Sequence, residues 1–228
     1  MNTAAPPAVP SAQPPAATLL AAGLGRRLGG VPKSALLIDG LSVFERLVQA
    51  LRQAGITQVS AVIGPYADTL LPLARRSGVR VVQQPVPDAP LVASQRLALH
   101  DHLLHQPGRD LLLLVADLPL LAGEHVALLL RAWQQRPARV WAQMPVVQGV
   151  RGHPVCLAWP AVQAVAAQPY PRGVRDWLAG AGDAVQAVTT DHDAYTTDLD
   201  TPDDLAALRQ RLAPRAVAWP GQHAGPAL

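Results

Sequence analysis

The chain holds a single cysteine, Cys156, a single lysine, Lys33, and only two glutamates, Glu45 and Glu124, among 228 residues. One cysteine excludes an internal disulfide framework and a thiolate metal cluster, and it points to a reducing compartment, the cytoplasm. Aromatic residues make up only 4% of the chain, and no uninterrupted apolar run approaches the roughly 20 residues that cross a bilayer. A membrane partner is therefore not expected. The 19 cations stand against 16 anions with no basic run, which gives no footing for a nucleic-acid partner. What is present is 50% hydrophobic residue, mostly Ala, Leu and Val, which suffices for the core of one large α/β domain and excludes a wholly disordered chain.

Residues 1–17 are Pro/Ala-rich and carry no charged side chain; they are expected to form a disordered leader. A signal peptide is disfavoured because the stretch lacks a basic start and a sufficient apolar segment. The Pro/Gly-rich residues 213–228 are expected to form a flexible tail outside the fold. Between them, in residues 18–212, short β-branched or Leu-rich runs alternate with segments of helical period, the pattern of βαβ units around a mostly parallel sheet. Strands are predicted at 18–22, 58–63, 79–83, 110–115 and 139–144, the last two central, since Leu111-Leu112-Leu113-Leu114-Val115 is apolar on both faces. Helices are predicted at 42–54 with Ser42 as N-cap, 66–76, 91–104, 123–135, 159–167 and 202–212. The stretch 148–195, broken by glycines and prolines, is expected to cover the mouth of the sheet and to carry substrate specificity.

Four motifs carry chemistry. After the first strand comes Ala21-Ala22-Gly23-Leu24-Gly25-Arg26-Arg27-Leu28-Gly29-Gly30-Val31-Pro32-Lys33. Its glycines let backbone amides turn toward an anion, and Arg26, Arg27 and Lys33 supply positive charge, so it reads as a phosphate-binding loop. It is not a dinucleotide fingerprint, because no helix starts at once and no acidic residue ends the next strand, and it lacks the Gly-Lys-Ser/Thr ending of a Walker loop. Asp117, in Val115-Ala116-Asp117-Leu118-Pro119 at the end of the most hydrophobic strand, is placed to ligate a divalent ion on a triphosphate; a turn-capping role is the alternative. In Asp198-Leu199-Asp200-Thr201-Pro202-Asp203-Asp204, the last four residues are accounted for by a helix start. Asp198 and Asp200, on one side of an extended segment, can face the same cation as Asp117. The fourth motif is Gly152-His153-Pro154, where the histidine either meets a ligand or is satisfied within the fold.

Taken together and in this order, these motifs resemble the nucleotidyltransferase family of molybdenum cofactor enzymes, and within it the cytidylyltransferases, over residues 19–212. The first motif is similar to the family's Ala-Ala-Gly, Arg-Met-Gly and Lys signature, with Leu28 in place of Met, and Asp117 matches its Asp-x-Pro metal site. Ala22 stands where guanylyltransferases usually carry a second glycine, and Gly152-His153-Pro154 with the Asp198–Pro202 run is similar to segments of the cytidylyl branch. The resemblance implies a three-layer α/β/α Rossmann-like nucleotidyltransferase fold with a mostly parallel central sheet. It also implies transfer of CMP from CTP to the phosphate of molybdopterin, with release of pyrophosphate. Arg27, Lys33 and Asp117 are then catalytic, and Ala21, Ala22, Gly23, Leu24, Gly25, Arg27, Lys33 and Ser94 bind the nucleotide. Asp117, Asp198 and Asp200 hold Mg²⁺ or Mn²⁺, and Gly152, His153 and Pro154 meet the acceptor. A molybdenum hydroxylase is the implied recipient of the product. A guanylyltransferase of the same family and a non-catalytic carrier of the cofactor remain as alternatives.

Overall fold

The computed structural model describes residues 13–221. In chain order its strands are β1 (Ala16–Ala21), β2 (Leu37–Ile38), β3 (Leu41–Ser42), β4 (Val59–Ile63), β5 (Arg80–Gln83), β6 (Leu111–Val115), β7 (Ala142–Val147), β8 (Val150–Arg151), β9 (Val155–Leu157), β10 (Val185–Thr189) and β11 (Val217–Ala218). Its helices are α1 (Val43–Gln53), α2 (Ala67–Arg76), α3 (Leu91–His105), α4 (Gly123–Gln134), α5 (Trp159–Ala166), α6 (Val174–Gly180) and α7 (Pro202–Leu212). The main sheet runs β10-β7-β9-β6-β1-β4-β5, with β8 paired to β7. The pairs β6–β1, β1–β4, β4–β5 and β10–β7 are parallel, and β9 is antiparallel to both β6 and β7. Helices cover both faces, which gives the expected α/β/α layering.

The alternation of each strand feeds two cores. On β6, Leu112 and Leu114 pack into the larger core with α1, α2, α4 and α7. Leu111 and Leu113 face the smaller core with α3, α5 and α6. Helix α1 begins where its sequence says it should: the Ser42 hydroxyl accepts from the Glu45 amide while the Glu45 carboxylate accepts from the Ser42 amide. The same reciprocal cap, made by Thr201 and Asp204, starts α7. Among the described residues no helix is long and apolar enough to cross a membrane.

Several expectations are corrected. The strand predicted at 139–144 lies at Ala142–Val147, because residues 137–140 close a turn in which the Val140 amide donates to the Pro137 carbonyl. It is also next to the sheet edge, with β6, β1 and β9 nearer the centre. The 148–195 stretch is more regular than expected, since beside the helix predicted at 159–167, found as α5, it supplies β8, β9, β10 and α6. The first strand starts at Ala16, inside the expected leader, and residues 1–12 lie outside the described residues. The expected tail is part of the fold as far as Ala218: β11 pairs with β2, Val217 is buried, and Arg215 bonds Asp39. Residues 222–228 lie outside the described residues.

Candidate functional site

Parallel neighbours bring their C-terminal ends to one edge, which is where α/β sheets bind ligands. Here β1 lies between β4 and β6. The loop after β1 therefore meets Tyr66, three residues beyond β4, and Asp117, two residues beyond β6. A main-chain bond from the Leu199 amide to the Asp117 carbonyl, 3.2 Å, pins the segment before α7 to the same place. Leu199 is buried; of its two acidic neighbours, Asp200 lines the cleft and Asp198 is exposed and lines neither of its cavities.

The glycine-rich loop is built for an anion. Gly25, Gly29 and Gly30 adopt φ of 57°, 86° and 77°, a region that side chains rarely tolerate. At Gly25 a Cβ would also lie 2.2 Å from the Val31 carbonyl oxygen. The run turns through a 3₁₀ segment at Arg26–Leu28, and the Leu28 and Gly30 amides close it by donating to the Gly25 carbonyl. Among the described residues, the amides of residues 23–27 donate to no other main-chain carbonyl. They remain available to a ligand, as in other anion-binding turns of successive N–H groups.

Lys33 closes the far end of this loop. Its ammonium donates to Asp117 Oδ2 at 2.9 Å and also to Asp200. Arg27 donates to the other Asp200 oxygen. The side chains of Lys33 and Asp117 are only 17% and 20% exposed. Burial alone would lower the Lys33 pKa, but the Asp117 charge and the hydrogen bonds to both carboxylates outweigh it, so the ammonium is held above its ordinary value. Asp198 is in the opposite position. Burial raises its carboxyl pKa, and the charges of Asp117 and Asp200 raise it further. Asp117 Oδ1 is buried without a hydrogen-bond partner. The three carboxylates do not close on one point: among the described residues no group of three His, Cys, Asp or Glu is arranged to hold a metal ion. The Lys33 ammonium, bonded to both, stands between Asp117 and Asp200.

Ala21, Ala22, Gly23, Lys33, Ser94 and Asp117 all line one cavity of about 250 Å³. Leu24, Gly25, Arg27 and Asp200 line a second, of about 260 Å³. The two share Ala22, Gly23, Lys33 and Ala89 as walls and form one cleft. Gly64 backs Ala22 so closely that a Cβ there would lie 2.9 Å from it, which fixes the cleft floor. Ser94 is buried and its hydroxyl accepts from Gln84 Nε2 at 3.4 Å.

Gly152, His153 and Pro154 line neither cavity. Gly152 lies against the Tyr195 carbonyl, 2.5 Å from where its Cβ would be, and the His153 amide donates to that same oxygen. The Nδ1 atom of the His153 ring is buried. Burial lowers its pKa, while the Leu113 main chain and the Asp117 charge act the other way, and its Nδ1 has no partner. Two features are not legible in the motifs. One is Tyr66, which lines the first cavity and bonds the glycine loop; its only sequence signal is a Gly-Pro-Tyr turn after a strand. The other is Asp88, paired with Arg26 at 2.6 Å across the second cavity.

Comparison with known proteins agrees with this geometry. The sequence model of the MobA-like NTP transferase domain matches residues 17–188. A 111-residue stretch is 36% identical to the bifunctional protein GlmU of Azorhizobium caulinodans, covering 46% of this chain and 24% of that protein, so the chain matches about a quarter of that relative's length. The fold is similar to the crystal structure of Rv0371c from Mycobacterium tuberculosis, at 23% identity and a TM-score of 0.72, covering 87% of this chain and 99% of that one. A second structure of Rv0371c is a complex with manganese, at 21% identity and a TM-score of 0.66, covering 88% and 100%. The molybdopterin-guanine dinucleotide biosynthesis protein A of Archaeoglobus fulgidus is similar at 17% identity and a TM-score of 0.60, covering 86% and 97%.

Proposed function

The chain belongs to the MobA-like NTP transferase family, and from that premise we propose that it transfers CMP from CTP to the terminal phosphate of molybdopterin. The observation that carries the reading is the Lys33 ammonium, held between Asp117 and Asp200 at the end of a loop with free amides. The acceptor phosphate oxygen forms a bond to the α-phosphorus as the bond to the pyrophosphate oxygen breaks. The products are molybdopterin cytosine dinucleotide and pyrophosphate.

Such a reaction asks for positioning and charge neutralisation more than for a strong base. The amides of residues 23–27 receive the phosphates. Arg27 and Lys33 let go of Asp200 and turn to the transferred and leaving groups, which carry more negative charge than one carboxylate. Asp117 and Asp198 suit a divalent cation, Mg²⁺ or Mn²⁺. One offers a buried oxygen without a partner, and the other is a carboxyl that burial, and then the charges of Asp117 and Asp200, keep from ionising easily. When bound, such a cation neutralises phosphate charge and polarises the α-phosphoryl group. Asp200 anchors the two basic side chains before the nucleotide binds and is not assigned to the cation. The choice of CTP rests on Ala22, whose methyl takes up room that glycine would leave in the cavity that Ser94 also lines. His153 stands on the Asp117 side and is assigned to the acceptor.

Pyrophosphate release with Mg²⁺ and each of CTP, GTP, ATP and UTP, with and without molybdopterin, tests the reading. Release that depends on the acceptor and occurs with CTP is expected. Release with GTP in its place would keep the family and overturn the role given to Ala22. Failure with every nucleotide, in protein that still binds the pterin, would favour a carrier.

A further inference from the structure

Tyr66 occupies the N-cap position of α2, yet its side chain does not cap that helix. The hydroxyl instead crosses to the loop after β1 and donates to the Leu24 carbonyl at 2.7 Å, 42 residues away in sequence. The bond exists because β4 and β1 are parallel neighbours whose last residues, Ile63 and Ala21, are register partners. The same hydroxyl lies 3.7 Å from where a Cβ on Gly30 would sit. It therefore touches the entry of the glycine loop and stands close to its exit.

The consequence follows from the planarity of a trans peptide, in which C=O and N–H point to opposite sides. With the Leu24 carbonyl tied to Tyr66, the Gly25 amide is turned away from α2. Gly25 itself has φ of 57° and has Val31 against its back, so it has little freedom to turn the amide by other means. Gly25 itself lines the cavity where Arg27, Lys33 and Asp200 gather.

We infer that Tyr66 is a positioning residue for the triphosphate: its hydroxyl holds the Leu24–Gly25 peptide in the orientation that presents the Gly25 amide to a phosphate oxygen. This rests on the reading of the loop as a phosphate cradle. It adds a residue outside the motifs that determines how well the cradle binds.

Tyr66→Phe keeps the ring as a cavity wall and removes only the hydroxyl. Binding of CTP, CMP and cytidine in the presence of Mg²⁺, measured by calorimetry on wild type and variant, tests the inference. CTP is expected to bind roughly three- to ten-fold more weakly, the effect of one neutral hydrogen bond, while cytidine binds as before. An equal loss for cytidine and CTP would mean that Tyr66 is only a wall, and unchanged CTP binding would mean that the hydroxyl is idle; either overturns the inference. A measurement on wild type alone complements it: the Gly25 amide resonance is expected to shift when inorganic tripolyphosphate is added. If wild type bound CTP but this resonance stayed fixed, the Tyr66 inference would fail and the nucleotide reading would stand. If wild type bound neither CTP nor tripolyphosphate, the cradle itself would be refuted, and the inference with it.

Discussion

Lys33→Ala is expected to slow CMP transfer by about a thousandfold, the scale seen when one preorganised charge on a phosphoryl transition state is removed. The fold should survive, because Lys33 opens a short 3₁₀ turn and its ammonium lies at the cleft, not in either core. No other side chain can take its place. Arg27 is 69% exposed and reaches only the outer oxygen of Asp200. Arg26 is engaged with Asp88. The Lys33 ammonium is also the one cation within hydrogen-bond reach of Asp117 among the described residues. Lys33→Arg is expected to restore little, since a flat guanidinium fork does not fit a point shared by two carboxylates as a compact ammonium does. Single-turnover rates with circular dichroism on the same samples check both statements. A wild-type rate in the alanine variant would remove Lys33 from the mechanism.

Asp110→Ala is expected to cost about 3–5 kcal/mol of stability, the usual penalty for leaving one member of a buried ion pair alone. Asp110 precedes β6, at the end of the sheet away from the cleft. Its carboxylate accepts from Arg136 Nη2 at 3.1 Å, from the Trp133 indole at 3.0 Å and from the Trp159 amide at 3.0 Å. The Arg136 and Asp110 side chains are 3% and 8% exposed, and the guanidinium also lies 3.5 Å over the Trp133 ring. Removing the carboxylate strands a buried cation and two buried N–H donors at once. Burial already pulls the Arg136 pKa down, and Asp110 is the main group that opposes this. Urea unfolding should therefore show a much lower midpoint. Transfer by the folded variant should match wild type, because the network and the cleft lie at opposite ends of the strands. A loss below about 1 kcal/mol would mean that the pair is not desolvated as described.

These two residues differ in how visible they are in the sequence. Lys33 is marked by being the single lysine and by following a run of glycines, and the structure brings it to Asp117. Helix α7 is found at its predicted bounds because Thr201, Pro202 and Asp204 encode its start locally. Strand β6 is equally clear, since a short run of five apolar residues fits a strand covered on both faces and is too short for a typical buried helix. What local pattern does not encode is the order of the strands. Tyr66 reaches Leu24 because β4 lies beside β1. Asp110 gains Trp133 and Arg136 from the end of α4 and just beyond it, and Trp159 from the start of α5. Strands β9 and β10 escape for a different reason: one has three residues between a proline and a helix, and the other is a half-exposed edge strand with no strong alternation. Asp198 and Asp200 look equivalent in the sequence. Packing separates them: Asp200 bonds Lys33 and Arg27, whereas Asp198 bonds neither and has its carboxyl pKa raised by burial and by the charges of Asp117 and Asp200.

Transfer of label is the most direct test of the central claim. CTP carrying a radioactive α-phosphate would be incubated with Mg²⁺, molybdopterin and the protein, and the pterin fraction separated and counted. Label is expected in a pterin dinucleotide, formed with wild type and almost absent with Lys33→Ala. Label that stays in CTP, under conditions in which wild type binds both the nucleotide and the pterin, would contradict it.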